Sequence, residues 1–387
     1  MMGTWRKIRL GDTCVTNANS YSPKEGWKFV NYLDTGSITD NRVNSIQYVD
    51  VANDKLPSRA RRKVKENSII YSMVRPNQRH FGIIKTQPEN FLVSTGFVVI
   101  DVDADVLDAD FLYYLLTRPI LVEALHAIAE QSTSAYPSIK PSDIEDLEVT
   151  IPELAIQKKI ASLLGSLDRK IAQNTEINEN LEQQATTLFK ALFVDLAPFD
   201  GTMPPNWTIS TLGDVTEMGA GGDKPKEFSP VKTPLCPYPI YSNGINDYGL
   251  YGYTNEPKIK VESVTVSARG TIGYVCLRHI PYVPIVRLVT LVPDTKMLSA
   301  KYLYLYLRLL HITGTGTTQQ QLTVPDFRKT EIVIPDKNIM GSFTETVTPL
   351  FERIWANEDE NTKLAEVRDA LLPKLMSGEI DVSSVQL

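Results

Sequence analysis

Two segments of the chain have apolar residues at spacings of three and four, the period of an amphipathic helix with a coiled-coil seam. The first pattern predicts one helix from Ile156 to about Phe193, with an extra four-residue step from Leu167 to Ile171 that indicates a stutter. The second pattern runs from Phe343 to Leu375. Pro349 lies inside it, so we expect a kink or a late helix start there.

Each helical pattern has two asparagines near its middle, Asn174 and Asn178 in the first and Asn357 and Asn361 in the second. Antiparallel pairing of the two helices brings these side chains together. A buried Asn in a helical seam can fix the register at a cost in stability. We therefore hypothesise that these residues set the axial register; the alternative is that they are exposed at the edge of the seam.

Outside the helices, short β-branched runs bounded by turn residues predict strands. Three lie in the first half of the chain and three in the second, at residues 68–74, 91–93, 95–100, 263–267, 273–277 and 285–292. A short helix rich in Leu and Tyr follows in each half, at 110–117 and 300–310, and a polar loop comes after it. The predicted fold class is therefore α/β or α+β.

The chain is an internal duplication. The segment from Trp5 to Asp12 resembles the segment from Trp207 to Asp214, at an offset of 202 residues. Near the helices the offset is 183 for every matched pair, as for Asp143 with Asp326. Solenoids need three or more short repeats, so two long ones indicate a tandem domain duplication with pseudo-two-fold symmetry. The helical parts keep their register, and the globular parts diverge.

The duplication predicts two globular domains, 1–150 and 199–333, two helical segments, 151–198 and 334–379, and a tail, 380–387. Pro198 and the loop after it end the first helix and lead into the second globular domain. A pseudo-two-fold assembly then makes the helices antiparallel, with the globular domains at opposite ends of a rod.

Composition is that of an ordinary globular protein, with 42% hydrophobic residues in 387. No apolar run is long enough to span a bilayer and the first residues lack a signal-peptide core, so we expect a cytoplasmic protein. The three cysteines and four histidines are scattered. They support neither a disulfide framework nor a zinc site, and we expect no cofactor.

The net charge of −6 hides a sorted distribution. Residues 1–90 sum to +7 and residues 91–150 to −9 when Lys and Arg are counted against Asp and Glu. The basic part contains five cations within residues 59–65. Such a cluster supplies sequence-independent affinity for DNA, although a solvated basic loop is the alternative. The acidic surplus of the helical segments would face protein partners or point away from DNA.

Motifs for catalysis are missing from the sequence. It has no phosphate-binding loop of the Gly-x-x-x-x-Gly-Lys-Ser/Thr type, and the run from Gly314 to Gln319 falls short of a dinucleotide-binding pattern. The Asn/Asp-Pro-Pro-Tyr/Phe motif expected of an adenine methyltransferase is absent. Five aspartates between Asp101 and Asp110 lack the bidentate Glu of a calcium loop, which favours a solvated turn. We therefore expect a protein that is not itself an enzyme.

Four stretches resemble the central region of type I restriction-modification DNA specificity subunits: 151–160, 167–171, 174–181 and 188–195. Residues 371–380 are similar to the family's usual ending, whereas Ile334-Pro-Asp-Lys departs from its Ile-Pro-x-Leu-x-x-Gln pattern. The resemblance implies two target recognition domains, each reading half of a split, asymmetric double-stranded DNA site. It also implies that the helices set the gap and dock two adenine-N6 methyltransferase (modification) subunits, to which restriction subunits are added.

Candidate base-reading residues follow from side-chain chemistry, because Arg and Lys read guanine, Asn and Gln read adenine, and Ser or Thr serves either base. In the first domain they are Arg75, Asn77, Gln78, Arg79, His80, Ser132, Thr133, Ser134 and Tyr136. In the second they are Asn243, Arg269, Thr271, Arg287, Thr317, Gln319, Gln320 and Gln321. The candidate phosphate contacts are Arg59, Arg61, Arg62, Lys63 and Lys65.

Three alternatives stay open at this stage. Arg269 is either a base reader or a structural ion-pair partner, and Tyr136 is either a contact or a core residue. A free-standing, two-headed DNA-binding scaffold or repressor would have the same fold without methyltransferase partners.

Overall fold

A computed structural model describes residues 5–132, 136–314, 321–383 and 385. They fold as two compact units. Unit 1 consists of the residues up to Gln173 together with those from Glu360 onward, and unit 2 is Asn174–Asp359. Each unit therefore combines a globular part with a segment of both long helices. The domain boundaries expected from the sequence separate those parts instead, and they stay a prediction.

Unit 1 contains four sheets among its described residues. Their strand orders are β1-β12, β6-β3-β10-β7, β2-β11-β8-β9 and β4-β5. The strands are β1 Arg6–Arg9, β2 Cys14–Thr16, β3 Phe29–Leu33, β4 Ile38–Thr39, β5 Arg42–Val43, β6 Gln47–Asp50, β7 Ala60–Arg62, β8 Ile69–Ser72, β9 Phe81–Ile83, β10 Phe91–Ser94, β11 Phe97–Val102 and β12 Glu148–Ile151. The short helices are α1 Ala109–Leu116, α2 Pro119–Glu130 and α3 Pro141–Glu145.

Unit 2 repeats the principal sheet of unit 1. The order β14-β20-β17-β18 matches β2-β11-β8-β9, and the pair β13-β21 matches β1-β12; a third sheet has the order β16-β15-β19. The strands are β13 Thr208–Thr211, β14 Thr216–Ala220, β15 Tyr238–Tyr241, β16 Leu250–Thr254, β17 Ser263–Val266, β18 Val275–Arg278, β19 Val283–Pro284, β20 Val289–Pro293 and β21 Glu331–Ile334. The short helices are α5 Leu212–Val215, α6 Ala300–Leu309 and α7 Val324–Phe327. The duplicated, mixed helix and strand fold is confirmed.

The short aromatic helices α1 and α6 occupy equivalent places, and their N-termini are capped in the same way. The Asp108 side chain accepts a hydrogen bond from the backbone N–H of Phe111, and the Ser299 side chain accepts one from that of Tyr302. Asp and Ser are favoured at this position because their oxygens pair with N–H groups that have no partner inside the helix. The cap fixes where each helix begins, and both helices are then almost wholly buried.

Two long helices complete the fold. Helix α4 spans Leu154–Phe189 and continues into a π-helical turn, Lys190–Val194, whereas α8 spans Lys337–Met376. In unit 1 Arg368 bonds to Asp168 at 2.7 Å and Lys170 lies 3.5 Å from Glu360. In unit 2 Asn178 bonds to Asn357 and the ring of Phe189 contacts that of Phe343. Within each unit the numbering rises along one helix and falls along the other, so the predicted antiparallel pairing is confirmed.

Of the two outcomes expected at Pro349, the late helix start is wrong, because α8 begins at Lys337 and continues through the proline, and the kink stays a prediction. Proline removes the N–H that would bond to the carbonyl four residues earlier, here that of Glu345. Both residues are exposed, so water can solvate that carbonyl.

The sequence also mispredicted parts of the globular folds. The strand expected over 285–292 is broken, with β19 ending at Pro284 and β20 beginning at Val289. The backbone turns between them through Val286 and Arg287, both of which have positive φ. Helix α2, which extends the helical part of unit 1 directly after α1, and strands β3, β6 and β7 were not predicted from the sequence.

No single helix in the described ranges is both long and apolar enough to cross a bilayer, although the bent pair α1 and α2 together meets those criteria.

Two of the four seam asparagines are buried where the long helices pair in unit 2. Asn174 and Asn357 have exposed fractions of 0% and 1%, which excludes the edge-of-seam alternative for these two. Asn357 Nδ2 donates to Asn178 Oδ1 at 2.7 Å, and Asn178 Nδ2 donates to the carbonyl of Ile354 at 3.3 Å. The buried Oδ1 of Asn357 has no hydrogen-bond partner. The pair thus combines a specific contact with a buried acceptor that is costly to leave unpaired.

Replacing Asn178 and Asn357 together with Leu should raise the free energy of unfolding of unit 2 by about 1–3 kcal/mol, because it removes that unpaired acceptor. The same change should loosen the axial register of the helices. Urea denaturation measures the first effect, and disulfide trapping at shifted helix registers measures the second. Asn180→Leu, at an exposed position of α4, is the matched control and should change neither. A less stable double variant with one fixed register would refute the register hypothesis.

Candidate nucleic-acid interface

In unit 1 the connection between β8 and β9 forms an exposed polar loop. Its 3₁₀ turn Pro76–Gln78 is flanked by Arg75 at φ +48° and Arg79 at φ +59°. The Arg75 N–H donates to the carbonyl of Pro137 at 3.0 Å, and Val74 pairs with Ser138. The Arg75 guanidinium lies 5.7 Å from the ring centre of Tyr136, which is 61% exposed and therefore not a core residue. The loop and the segment after α2 thus form one surface.

We call this set the unit-1 surface and define it by Arg75, Asn77, Gln78, Ser132 and Tyr136. Arg75, Asn77 and Gln78 are exposed. Ser132 is half-buried, and its Oγ accepts a hydrogen bond from the Ser138 N–H at 3.3 Å. The surface lies at the end of the principal sheet where β8 finishes and the β10–β11 turn begins.

Arg79 and His80 connect this loop to the β4–β5 hairpin through hydrogen bonds. Arg79 Nε donates to Asp40 Oδ1 at 2.7 Å, and His80 Nδ1 lies 2.6 Å from the carbonyl of Ile38 and 3.2 Å from Thr39 Oγ1. These contacts use Arg79 Nε and His80 Nδ1 to hold the loop. Arg42 of this hairpin is exposed as well, but it was not among the candidate contacts predicted from the sequence. The turn residues Asp40-Asn41 could have indicated the hairpin.

The basic cluster is only partly exposed, because Ala60–Arg62 forms strand β7. Arg59 and Lys65 are exposed, but Lys63 bonds to Glu25 at 2.5 Å and lies 5.1 Å from the Trp27 ring centre. Arg61 and Arg62 are half-buried, each with one buried guanidinium nitrogen that has no hydrogen-bond partner. Burial lowers the pKa of Arg62.

The cluster adjoins the unit-1 surface through the β10–β11 turn. The carbonyl of Arg59 accepts from the Thr95 N–H at 2.8 Å, and the carbonyl of Gly96 accepts from the Met73 N–H at 2.9 Å. Arg59 is therefore the cation of the cluster with both exposure and a direct link to this turn. The role of the five cations as phosphate contacts stays a prediction.

In unit 2 the equivalent connection, between β17 and β18, contains Arg269 and Thr271, both exposed. Arg269 Nε and Nη2 donate to Gln321 Oε1 at 3.2 and 3.1 Å, so its partner is an amide and not a carboxylate. The Leu322 N–H donates to the carbonyl of Ala268 at 3.0 Å. The segment after α6 thus packs on the β17–β18 loop, just as the segment after α2 packs on the β8–β9 loop in unit 1.

We call Arg269, Thr271, Arg287 and Gln321 the unit-2 surface. Arg287 is exposed and follows Val286 in the turn that leads into β20. Because Val266 pairs with Val289 in the sheet, this turn and the β17–β18 loop lie at the same sheet end. That end corresponds to the one at which the unit-1 surface lies.

Asn243 has a structural role that the sequence did not indicate. Its Nδ2 donates to the carbonyl of Val286 at 2.7 Å, and its Oδ1 accepts from the Ala268 N–H at 2.8 Å. Both ends of the amide are thereby engaged with the backbone of the two surface loops. Asn243 positions the unit-2 surface, and adenine readout would require these bonds to break. Thr133, Ser134, Thr317, Gln319 and Gln320 lie outside the described residues.

A tyrosine, a carboxylate and an arginine tie each short aromatic helix to α4. In unit 1 Tyr114 donates to Asp168 at 2.6 Å, and Arg368 donates to the same carboxylate at 2.7 Å. In unit 2 Tyr304 and Arg308 both donate to Glu182. Burial, and then the charge of the neighbouring carboxylate, raises the pKa of both tyrosines. Their hydroxyls therefore stay protonated as donors.

A further hydrogen bond in unit 2 connects the loop before β16 to α8. Tyr248 donates to Glu358 at 2.9 Å, and the Tyr248 carbonyl accepts from Arg278 at 2.7 Å. Burial raises the pKa of Glu358, and the hydrogen bond from Tyr248 opposes that rise. The Glu358 carboxylate of α8 is thus partly desolvated and accepts a hydrogen bond from a loop of the globular part.

In the described part of the chain, no three His, Cys, Asp or Glu side chains are grouped so that they could hold a metal ion. Asp108 and Asp110 of the aspartate run are used structurally, as the α1 cap and as the partner of Lys85.

Burial raises the pKa of the Cys14 thiol to about 11, so that thiol is protonated at neutral pH.

Comparison with known proteins gives one consistent result. The family model described as the type I restriction modification DNA specificity domain matches twice, at residues 2–183 and 204–366. The HindI type I restriction enzyme specificity subunit of Haemophilus influenzae is 26% identical over 98% of this chain and all of that protein. The MjaIX specificity subunit of Methanocaldococcus jannaschii is 26% identical over 98% of this chain and 94% of that one.

A solved structure of a type I restriction-modification S subunit from M. genitalium has a TM-score of 0.60 with 17% identity, and the match covers 96% of both chains. At this identity the likeness concerns the fold.

Glu358→Gln should stabilise unit 2 at neutral pH, because the folded state raises the pKa of this carboxyl. Between the ordinary carboxyl pKa of about 4.3 and the raised folded value, the folded state binds more protons than the unfolded state. Wild-type stability therefore falls as the pH rises through that window, and the advantage of Gln should vanish below it. Thermal unfolding from pH 4 to 8 measures this. Glu352→Gln, at an exposed position of α8, should show no such pH-dependent gain; equal gains at both positions would contradict the assignment.

Proposed function

The chain belongs to the type I restriction modification DNA specificity family, and on that premise we propose that each globular part reads one half of a split, asymmetric DNA site. The observation that supports this most directly is the equivalence of the two surfaces. In both units the same strand connection has an exposed arginine and lies against a later segment, the one after α2 in unit 1 and the one after α6 in unit 2. The side chains on the two surfaces differ, so the two half-sites should differ as well.

The side chains at these surfaces have suitable chemistry for reading base edges. Arginine donates two hydrogen bonds to guanine in the major groove, Asn and Gln pair with adenine, and Thr serves either base. Arg75 with Asn77 and Gln78 provides such groups in unit 1, and Arg269 with Thr271 and Gln321 provides them in unit 2. The exposed cations Arg59 and Lys65 suit phosphate contacts that position the DNA without reading it.

The long helices have a different part in the proposal. Their antiparallel register, specified by the Asn178–Asn357 contact, sets the gap between the half-sites. Two adenine-N6 methyltransferase subunits dock on the helices, and restriction subunits join through them. The net charge of residues 331–387 is −6 when Lys and Arg are counted against Asp and Glu, which disfavours DNA and leaves this region for protein partners. Specificity subunits of this family are not catalytic, so methylation and cleavage belong to the partner subunits.

Sequencing of methylated adenines in DNA from cells that express this chain with its methyltransferase should reveal one bipartite motif with a fixed gap. Expression of the methyltransferase alone is the control and should leave that motif unmethylated. An uninterrupted motif would contradict two-part reading. Failure of the chain to co-purify with a methyltransferase would instead favour a free-standing DNA-binding scaffold.

Arg269→Ala should cost about 1–3 kcal/mol of specific binding energy and relax the selectivity of one half-site only, because it removes one bidentate base contact. Binding to a library randomised at each half-site position measures this. Lys296→Ala removes the same charge at the opposite end of β20 and is the matched control; it should leave selectivity unchanged. A uniform loss of affinity across sequences would make Arg269 a phosphate contact instead.

A further inference from the structure

The turn from Ile285 to Leu288 has an unusual composition. The Leu288 N–H donates to the carbonyl of Ile285 at 3.0 Å, and the two central residues, Val286 and Arg287, have φ of +54° and +62°. Two positive φ angles are the signature of a type I′ turn, which is dominated by Gly, Asn and Asp. Here the turn has a β-branched residue and an arginine in those places.

A β-branched residue at positive φ is a clear outlier, and such strain persists only where the surrounding structure enforces it. Val286 does not recover the strain energy by packing in the core, because its side chain is 50% exposed. Among the described residues, six that are not Gly, Asn or Asp have positive φ, and four of them are Arg75, Arg79, Val286 and Arg287. Strain therefore concentrates in the loops at or beside the two proposed DNA-reading surfaces.

The strained conformation is held from several sides. The Val286 and Arg287 N–H groups donate to the carbonyls of Gly222 and Gly221 at 2.9 Å each, and the Val286 carbonyl accepts from Asn243. A Cβ on Gly221 would lie 2.7 Å from the Ile285 nitrogen, so the two backbone segments approach this closely only because that residue is glycine. The flanking Ile285 and Leu288 are 1% and 2% exposed. The fold thus anchors both sides of the turn and presents the Val286 side chain to solvent.

We propose that Val286 contacts the 5-methyl group of a thymine in the half-site read by unit 2. This inference rests on the proposed function. The thymine methyl is the apolar group on the base edges of the major groove, and apolar side chains recognise it. Val286 lies at the same sheet end as Arg269 and next to Arg287, which provide the charge that draws DNA to this surface. At this position valine presents an exposed apolar side chain to the DNA, whereas glycine would relieve the strain of the turn but would have no side chain for recognition.

The test removes the methyl group from each partner in turn. Once the target is known, each thymine of both half-sites is replaced by deoxyuridine, and binding of the chain with its methyltransferase subunits is measured. The wild-type complex should bind about fourfold more weakly when one thymine methyl of the unit-2 half-site is absent, since one apolar carbon is buried there. The Val286→Gly and Val286→Asn complexes should bind the thymine and deoxyuridine sites equally.

Stability gives an independent readout of the same variants. Val286→Gly relieves the positive φ, so its thermal midpoint should equal or exceed that of the wild type although recognition is lost. Val261→Gly is the matched control, since Val261 is 56% exposed in unit 2 and is not among the residues with positive φ. It should lower the midpoint slightly, because glycine raises the entropy of the unfolded chain, and it should retain the discrimination against deoxyuridine.

Each of these outcomes would overturn the proposal: no thymine of the unit-2 half-site whose methyl group affects binding, unchanged discrimination in Val286→Gly, or a marked loss of stability in that variant. If Val286→Gly weakened binding to the thymine site and to the deoxyuridine site by the same factor, its discrimination would be unchanged, and Val286 would act as a wedge between bases and not as a thymine contact. If the proposed function itself failed, the wild-type complex would show no bipartite selectivity, a result distinct from all of these.

Discussion

The fold of each unit depends on burying an aromatic helix between a sheet and the long helices. In unit 1 one face of β8 and β11, namely Ile69, Tyr71, Val98 and Ile100, forms one core with α1 and with Ile160 and Leu164 of α4. In unit 2 Tyr302 and Phe343 contact Phe189 and Phe193, and the π-helical turn ends α4 beside this cluster. Each short helix also has a tyrosine whose hydroxyl donates a hydrogen bond to a carboxylate of α4, Tyr114 to Asp168 and Tyr304 to Glu182. Packing and hydrogen bonding together fix the orientation of each sheet on the helix.

That packing leaves the loops at one end of each principal sheet exposed, and their side chains differ between the two units. The loops at this end are connected to buried strands, so their backbones are held while their side chains face solvent. Asn243 and Gly221 show how this is achieved in unit 2, by a bridging amide and by a close backbone approach. A rigid scaffold with variable exposed side chains is the arrangement that selective recognition requires. The positive φ angles of Arg75 and Val286 are the local cost of that arrangement.

Several residues show why site prediction from sequence alone was incomplete. Lys63 looked like one more cation in a basic cluster, but strand β7 places it beside Glu25 and Trp27. Asn243 looked like an adenine reader, and its amide instead joins two loops that are 25 and 43 residues away in sequence. Arg75 and Arg269, by contrast, are exposed, and Arg269 donates hydrogen bonds to Gln321. Residue type indicates which chemistry is available, whereas long-range neighbours decide whether that chemistry is already engaged.

The sequence by itself determined the duplication, the two long helices, the mixed fold class and the family. These features depend on periodicity and on motifs, which are local or repeat at a fixed offset. Only the tertiary structure decided that 285–292 breaks at Val286, that α8 passes through Pro349, and which polar residues face solvent. At the break the Val286 and Arg287 N–H groups bond to the carbonyls of Gly222 and Gly221, which follow β14, and the helix continues through Pro349 where Glu345 is exposed. Such outcomes are set by contacts between residues far apart in the chain, which no local pattern encodes.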